Sequence, residues 1–310
     1  MVAGSIPARP TMDQDLLSSR ARALAAALEP VAGQVYFSPE CHANYEALGF
    51  DPSPGDFGGI AGPEMESYFC SRGSVMGQVP GSVIAAAFGV FNHVHVGVIV
   101  ERGWQKTDAP TICKARDDGS IAQLRRILGD RPEGVDDARR LLERAGADLE
   151  PYGKPLYAGL AACERFDDPL ADAWRLADRL REYRGDAHIA AWTTAGLDAC
   201  QIGLLSELYW GLPVRSYSRT RMWSTDEYDR AEAALEARGL LAEHQLTSEG
   251  RAFREAVEVD TDRQCRPIVE ALGEDHGRLV EVLGAWGAAI RSARGYPASG
   301  PHDLADLAAR

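Results

Sequence analysis

Apolar residues recur at three- and four-residue intervals along most of this chain, a spacing that predicts helices rather than strands. In "DQDLLSSRARALAAALEP", Leu16, Leu17, Ala21, Leu24 and Leu28 fall on one stripe that stops at Pro30. "SPECHANYEALG" offers Ser38 as N-cap, Pro39 at the first helical position and Gly49 past the end. The Gly/Pro-rich "FDPSPGDFGGIAGP" that follows predicts a loop, of the length often found in lids and binding loops. Further helices are predicted near residues 63–71, 80–103, 108–128, 135–149, 154–163, 168–183 and 185–210. Short helices joined by Gly or Pro describe an irregular bundle, and no internal repeat interrupts it.

From about Ala199 the pattern changes. A helix in "DACQIGLLSELYWG" leads to the polar linker "LPVRSYSRTRMW" and then to "STDEYDRAEAALEARG", where Ser224 and Glu227 are spaced as a capping box. Two short apolar pieces around a turn, "LLAEHQLTSEG", precede a long amphipathic helix. Residues 200–265 resemble the winged helix of MarR-type regulators, "LEARGLLAEHQLTSEG" matching the segment that leads into the wing. The chain as a whole resembles an actinobacterial family that joins a helical N-terminal region to such a winged helix. The matching stretches are "YFSPE" (Tyr36–Glu40), "YFCSRGSVMG" (Tyr68–Gly77), Phe91 with Asn92, and "YRGDAH" (Tyr183–His188). Where that family often has His, this chain has Tyr183. The resemblance implies architecture and carries no reaction with it. The expected organisation is a disordered leader over 1–11, a helical ligand-binding domain over 12–198, a winged-helix domain over 199–295 and a tail over 296–310. The fold class is therefore mainly α, an irregular bundle followed by a winged helix with a small β-hairpin.

Composition narrows the function. The 310 residues are 45% apolar and 25% charged, ordinary for a globular protein, and long enough for two cores. The net charge of −13 repels phosphate backbones and anionic lipid, which disfavours nucleic-acid and membrane partners. Six scattered cysteines without a C-x-x-C pair argue against a zinc knuckle or redox dithiol and suit a reducing cytoplasm. The N-terminus lacks the apolar core of a signal peptide. Residues 73–100 contain no formal charge, long enough for a membrane span, but Gln78, Pro80, Asn92, His93 and His95 interrupt the run. It reads as two buried segments of a core.

The expected recognition helix, Ser224 to Arg238, opposes five carboxylates with two arginines. Carboxylates beside phosphates cost energy, so this face is poorly suited to DNA. The only basic cluster nearby is Arg215, Arg219 and Arg221 in the linker, which could touch phosphate but would read no bases. The other role for the wing is scaffold or a dimerisation surface, which would make the protein a homodimer.

Candidate chemistry centres on "REYRGDAHIAAW". On a helix Arg184, His188 and Trp192 share one face, and Glu182 and Asp186 form a pair beside it. One reading makes this the polar floor of a pocket, with Arg184 gripping a planar acceptor, His188 as the acid–base group and Asp186 or Glu182 orienting them. The other makes it an interdomain helix start, capped by Asp186. Glu40 joins His188 as a candidate catalytic group, beside Tyr36 and Phe37 in a cavity wall, or else serves only the dipole of its helix. Arg72 lies in the glycine-rich "SRGSVMG", and Asn92 follows an apolar helix; both are candidate ligand contacts. No nucleotide-binding or metal-ligand motif is present, and the residues name no cofactor. His93 and His95, two apart on a helix, point away from each other. Three functions follow as expectations: a protein of specialised metabolism that binds or transforms a small molecule with an apolar body; a ligand-responsive transcriptional regulator; or a dimeric interaction module without ligand.

Overall fold

In the computed structural model, residues 12–56 and 58–303 are described; the expected leader at 1–11 and the end of the expected tail, 304–310, lie outside them. Helix α1 (Gln14–Gly33) buries Leu17, Ala21, Leu24 and Leu28, while Leu16 sits on its outer face. The helix does not stop at Pro30. It runs on to Gly33 and tightens into a 3₁₀ turn over Gln34–Phe37. Proline removes one amide donor, but near the end of a helix that loss is small beside the packing the ring gains. Helix α2 (Pro39–Ala47) starts as predicted, with Ser38 Oγ accepting from the Cys41 amide at 3.1 Å.

Helix α3 (Met65–Gly73) leads into the uncharged run, which folds as a 3₁₀ turn at Ser74–Met76, α4 (Gly81–Ala87) and α5 (His93–Gly103). The single helix expected over 80–103 breaks at Phe88–Asn92, where the Asn92 side chain caps α5 at the Val94 amide. Burial is also incomplete. Ile84, Val96 and Val100 are buried, but Val83, Val94 and Val98 are 44%, 61% and 59% exposed. No helix among the described residues is long and apolar enough to cross a membrane.

Helices α6 (Ala109–Leu128), α7 (Val135–Gly146) and α8 (Pro155–Ala162) precede α9 (Pro169–Thr194). The expected division of α9 near Gly185 is absent: one helix carries the whole of "REYRGDAHIAAW". An interior glycine costs a helix about 1 kcal/mol, too little to break one packed on several sides. The break comes instead at Gly196, whose φ of 72° suits a residue without Cβ. Helices α10 (Ala199–Tyr209) and α11 (Thr225–Ala237) follow, the latter with the predicted Ser224–Glu227 capping box. Strands β1 (Leu241–Ala242) and β2 (Gln245–Leu246) pair antiparallel, Leu241 opposite Leu246. Their two-residue turn, Glu243–His244, has positive φ at both positions, a conformation usually left to Asn-Gly. His244 Nδ1 lies 2.7 Å from Glu232 Oε2, a contact that pins the hairpin to α11.

Helix α12 (Ser248–Gln264) leads to α13 (Arg266–Leu272) and α14 (His276–Ser292). The chain is thus mainly helical, with this two-stranded hairpin its one sheet among the described residues. A first apolar core joins residues 17–183 with Cys265 to Tyr296; a second joins Ala191 to Val257. The last helices therefore return to the first: α14 packs along α1. The start of the expected tail is not loose. Tyr296 is buried and its hydroxyl donates to Glu29 at 2.8 Å. Tertiary folding also brings together two thiols far apart in sequence: Cys163 after α8, whose Sγ donates to the Gly159 carbonyl at 3.5 Å, neighbours Cys113 of α6 and lowers its thiol.

A Cβ on Gly287 of α14 would lie 2.6 Å from Cγ of Pro30. Gly287→Ala is therefore expected to force α1 and α14 apart and cost about 1–3 kcal/mol, measured by denaturant unfolding. An unchanged midpoint would mean that the two helices slide freely.

Candidate ligand-binding cleft

Helix α9 is buried nearly all round, yet its sequence is dense in charge. Asp172, Asp178, Glu182 and Asp186 are almost fully inaccessible. Each must find a partner, because an unpaired ion in the interior is far costlier than a paired one. Glu182 accepts from both Nε (2.9 Å) and Nη2 (2.7 Å) of Arg72 on α3, and from Arg181 Nη1 at 2.9 Å. Burial works against its charge, but Arg72 and Arg181 prevail and hold the carboxyl down at about 2. Arg181 also pairs with Glu29 of α1. One turn on, Arg184 bridges to Glu258 (3.0 Å) and Asp262 (2.8 Å) of α12, and Arg22 of α1 reaches the same Asp262 at 2.7 Å.

These pairs border a cavity of about 580 Å³, within the range usual for small-molecule sites. Its floor is α9, through Arg181, Glu182, Arg184, Gly185 and His188. Helix α10 supplies Ile202, Gly203 and Ser206, and α12 supplies Arg254, Glu258 and Thr261. A second cavity of about 450 Å³ adjoins it, walled by Tyr36, Phe37, Met65, Tyr68, Phe91 and Met222. Glu29, Arg181, Tyr217, Arg221 and Tyr296 line both. The first compartment is rich in arginine and the second aromatic, and the shared residues stand between them.

His188 has a defined tautomer. The Thr261 hydroxyl donates to the Val257 carbonyl at 2.8 Å, so its contact with His188 Nδ1 at 3.1 Å requires the ring to donate. Nε2 is then an acceptor. Burial, with Arg254 and Arg184 nearby, lowers the imidazole to about 4 despite Glu258, so it is neutral at pH 7. Glu258 is itself held at about 2, burial being outweighed by Arg254, His188 and Arg184. A neutral imidazole of such low basicity suits hydrogen bonding to a ligand better than proton abstraction.

The predicted site residues divide. Arg72, Arg184 and His188 line the first cavity, and Tyr36 and Phe37 the second. Arg184, however, is held by two carboxylates and is not a free grip. Glu40, Asn92, Trp192 and Asp186 line neither cavity. Glu40 pairs with Arg126 on the far side of α2. Asn92 caps α5 and donates to Glu227 of α11 at 3.2 Å, and Trp192 packs in the second core. Asp186 caps a helix, though not its own: its Oδ2 accepts from the Tyr157 amide in the first turn of α8, at 3.0 Å, where Lys154 offers no side-chain cap. Burial raises this carboxyl to about 7, against the effect of that hydrogen bond. Arg22, Glu29, Arg221, Arg254, Tyr217 and Tyr296 escaped the sequence reading. Only Arg221 carried any mark there, within a basic cluster assigned to phosphate.

Residues 21–297 match a helix-turn-helix family, and the chain belongs to that family. No curated protein and no solved structure matches it.

Two outcomes follow from these ion pairs. Arg184→Ala takes one of two arginine partners from Glu258, which keeps Arg254, and from fully buried Asp262, which keeps Arg22, and is expected to cost about 1–3 kcal/mol in denaturant unfolding; a loss well below about 1 kcal/mol would mean that the pairs behave as surface bridges. The pH response has opposed parts. His188 protonates near 6.5 when unfolded but near 4 when folded, so its share of stability falls as pH drops through that window. Asp186, raised from 3.8 to about 7, favours the fold most below 3.8 and loses that contribution as pH rises through 7. Asp186→Asn should therefore gain melting temperature over the wild type progressively from pH 4 to pH 8. A constant difference across that range would show that Asp186 is not the titrating group.

Proposed function

We propose that this protein binds a small organic molecule in the two-compartment cleft, and that its helix-turn-helix segment serves mainly as the outer wall of that cleft. The observation that carries the reading is the orientation of the segment. Its inward residues, Ile202, Gly203, Ser206, Tyr217 and Arg221, border the cavity. The parts a DNA reader would present are committed elsewhere. The first turn of α11 abuts the N-terminal region, where Asn92 donates to Glu227 and the Trp223 indole to the Val90 carbonyl at 3.1 Å. The outer face of α11 carries Asp226, Asp229 and Glu236 with Arg230. Of the linker arginines, Arg215 pairs with Asp229 and Glu232, and Arg221 stacks on Phe91 at 4.4 Å. Phosphate would therefore meet carboxylates or have to break existing pairs.

Membership of a helix-turn-helix family favours a second reading, a ligand-responsive regulator of the MarR type. Fold alone does not fix that role. Fluorescence anisotropy with labelled duplex at low salt separates the two. Binding weaker than about 10 μM, close to the non-specific range, is expected; submicromolar, sequence-selective binding to DNA upstream of its own coding sequence would support the regulator instead.

A further inference from the structure

Six arginines line the first cavity: Arg22, Arg72, Arg181, Arg184, Arg221 and Arg254. Among the described residues, five carboxylates lie within 4.0 Å of them: Glu29, Glu182, Glu255, Glu258 and Asp262. His188 is neutral, so one positive charge is left uncompensated. It belongs to Arg221, which has no carboxylate in reach among the described residues. Arg221 is instead flanked by the rings of Phe91 and Tyr217, at 4.4 and 4.7 Å, and donates to the Tyr217 hydroxyl. It stands between the two compartments, lining both.

A second donor awaits a partner. Arg254 is 1% exposed; its Nε donates to Ser206 Oγ at 3.2 Å and Nη2 meets Glu258, but Nη1 has no partner. Native interiors rarely leave such a group unsatisfied, and this one borders the cavity. On the other side of Arg221, the second compartment presents the rings of Tyr36, Phe37, Tyr68 and Phe91 with two methionines, a lining suited to a flat apolar body.

Resting on the cleft reading above, we propose that the ligand is an aromatic monocarboxylate, its carboxylate on Arg221 and its ring system in the compartment of Tyr36 and Phe91. One uncompensated arginine matches one negative charge. A phosphate monoester, close to doubly charged at pH 7, would exceed it. A planar guanidinium receives a carboxylate through two parallel hydrogen bonds, and the stacked rings fix the plane of the fork. Arg254 Nη1 remains for a neutral acceptor elsewhere on the molecule.

The test uses the full chain with naphthalene-2-carboxylate and its uncharged isostere naphthalene-2-carboxamide, titrated by calorimetry at pH 7. The carboxylate should bind at least tenfold tighter. Arg221→Gln should bring the two to equal affinity, Arg221→Lys should keep part of the preference, and Arg215→Gln, in the same linker but paired outward, should leave it intact. Comparing the two ligands on the wild type needs no variant, so a poorly folded variant does not decide the matter. Equal affinity on the wild type, or an undiminished preference in a folded Arg221→Gln, overturns the monoanion while leaving a cleft that binds apolar bodies. Failure of both probes to bind at millimolar concentration overturns the cleft reading itself.

Discussion

The structure depends on the burial of a charged helix. An amphipathic helix at a surface keeps its ions in water; α9 has no watery side, because α1, α7, α8 and α12 pack on it. Its carboxylates and guanidiniums are therefore compelled to find partners on every neighbour, and each partnership fixes a neighbour's position. Glu182 draws in α3 through Arg72, Arg184 draws in α12, and Asp186 caps α8. Asp172 takes Arg139 of α7 and Arg165 just before α9. Hydrophobic contact drives the assembly, but the ion pairs select which of many similar helix packings is adopted.

That arrangement also explains why a cavity exists here. Facing arginines and glutamates are long, and their forks meet beyond the reach of close-packed methyl groups. A row of such pairs lines the space where α1, α9 and α12 meet. Gly185 and Gly203 on opposing walls keep it open. Pre-set dipoles then line the space with little reorganisation needed when a ligand enters.

Local punctuation in the chain was legible where its physics is local. Ser38 with Pro39, and Ser224 with Glu227, mark helix starts that depend on a few backbone bonds, and both stand as read. Pro30, Gly185 and the 80–103 run misled because packing overrode or cut across the local preference. The pocket face of "REYRGDAHIAAW" was visible through Arg184 and His188, since helical periodicity survives the fold. Which arginine lacks a carboxylate partner among the described residues was not. Arg184 and Arg221 are equally basic in sequence, and only the positions of Glu258 and Asp262 distinguish a bound arginine from an available one. Asp186 shows the same limit: a cap was legible, but the helix it caps lies across the core.

The pairing of α1 with α14 makes this a chain in which an early helix waits for a late one. At on the order of ten residues per second, α1 emerges from the ribosome roughly half a minute before α14 does. Throughout that interval the face of α1 around Arg20 and Pro30 has no permanent cover, since its native partner is still being translated. Long-range closure of this kind slows folding and leaves apolar surface open to other chains. The core that joins residues 17–183 to 265–296 therefore cannot close as an early cotranslational unit.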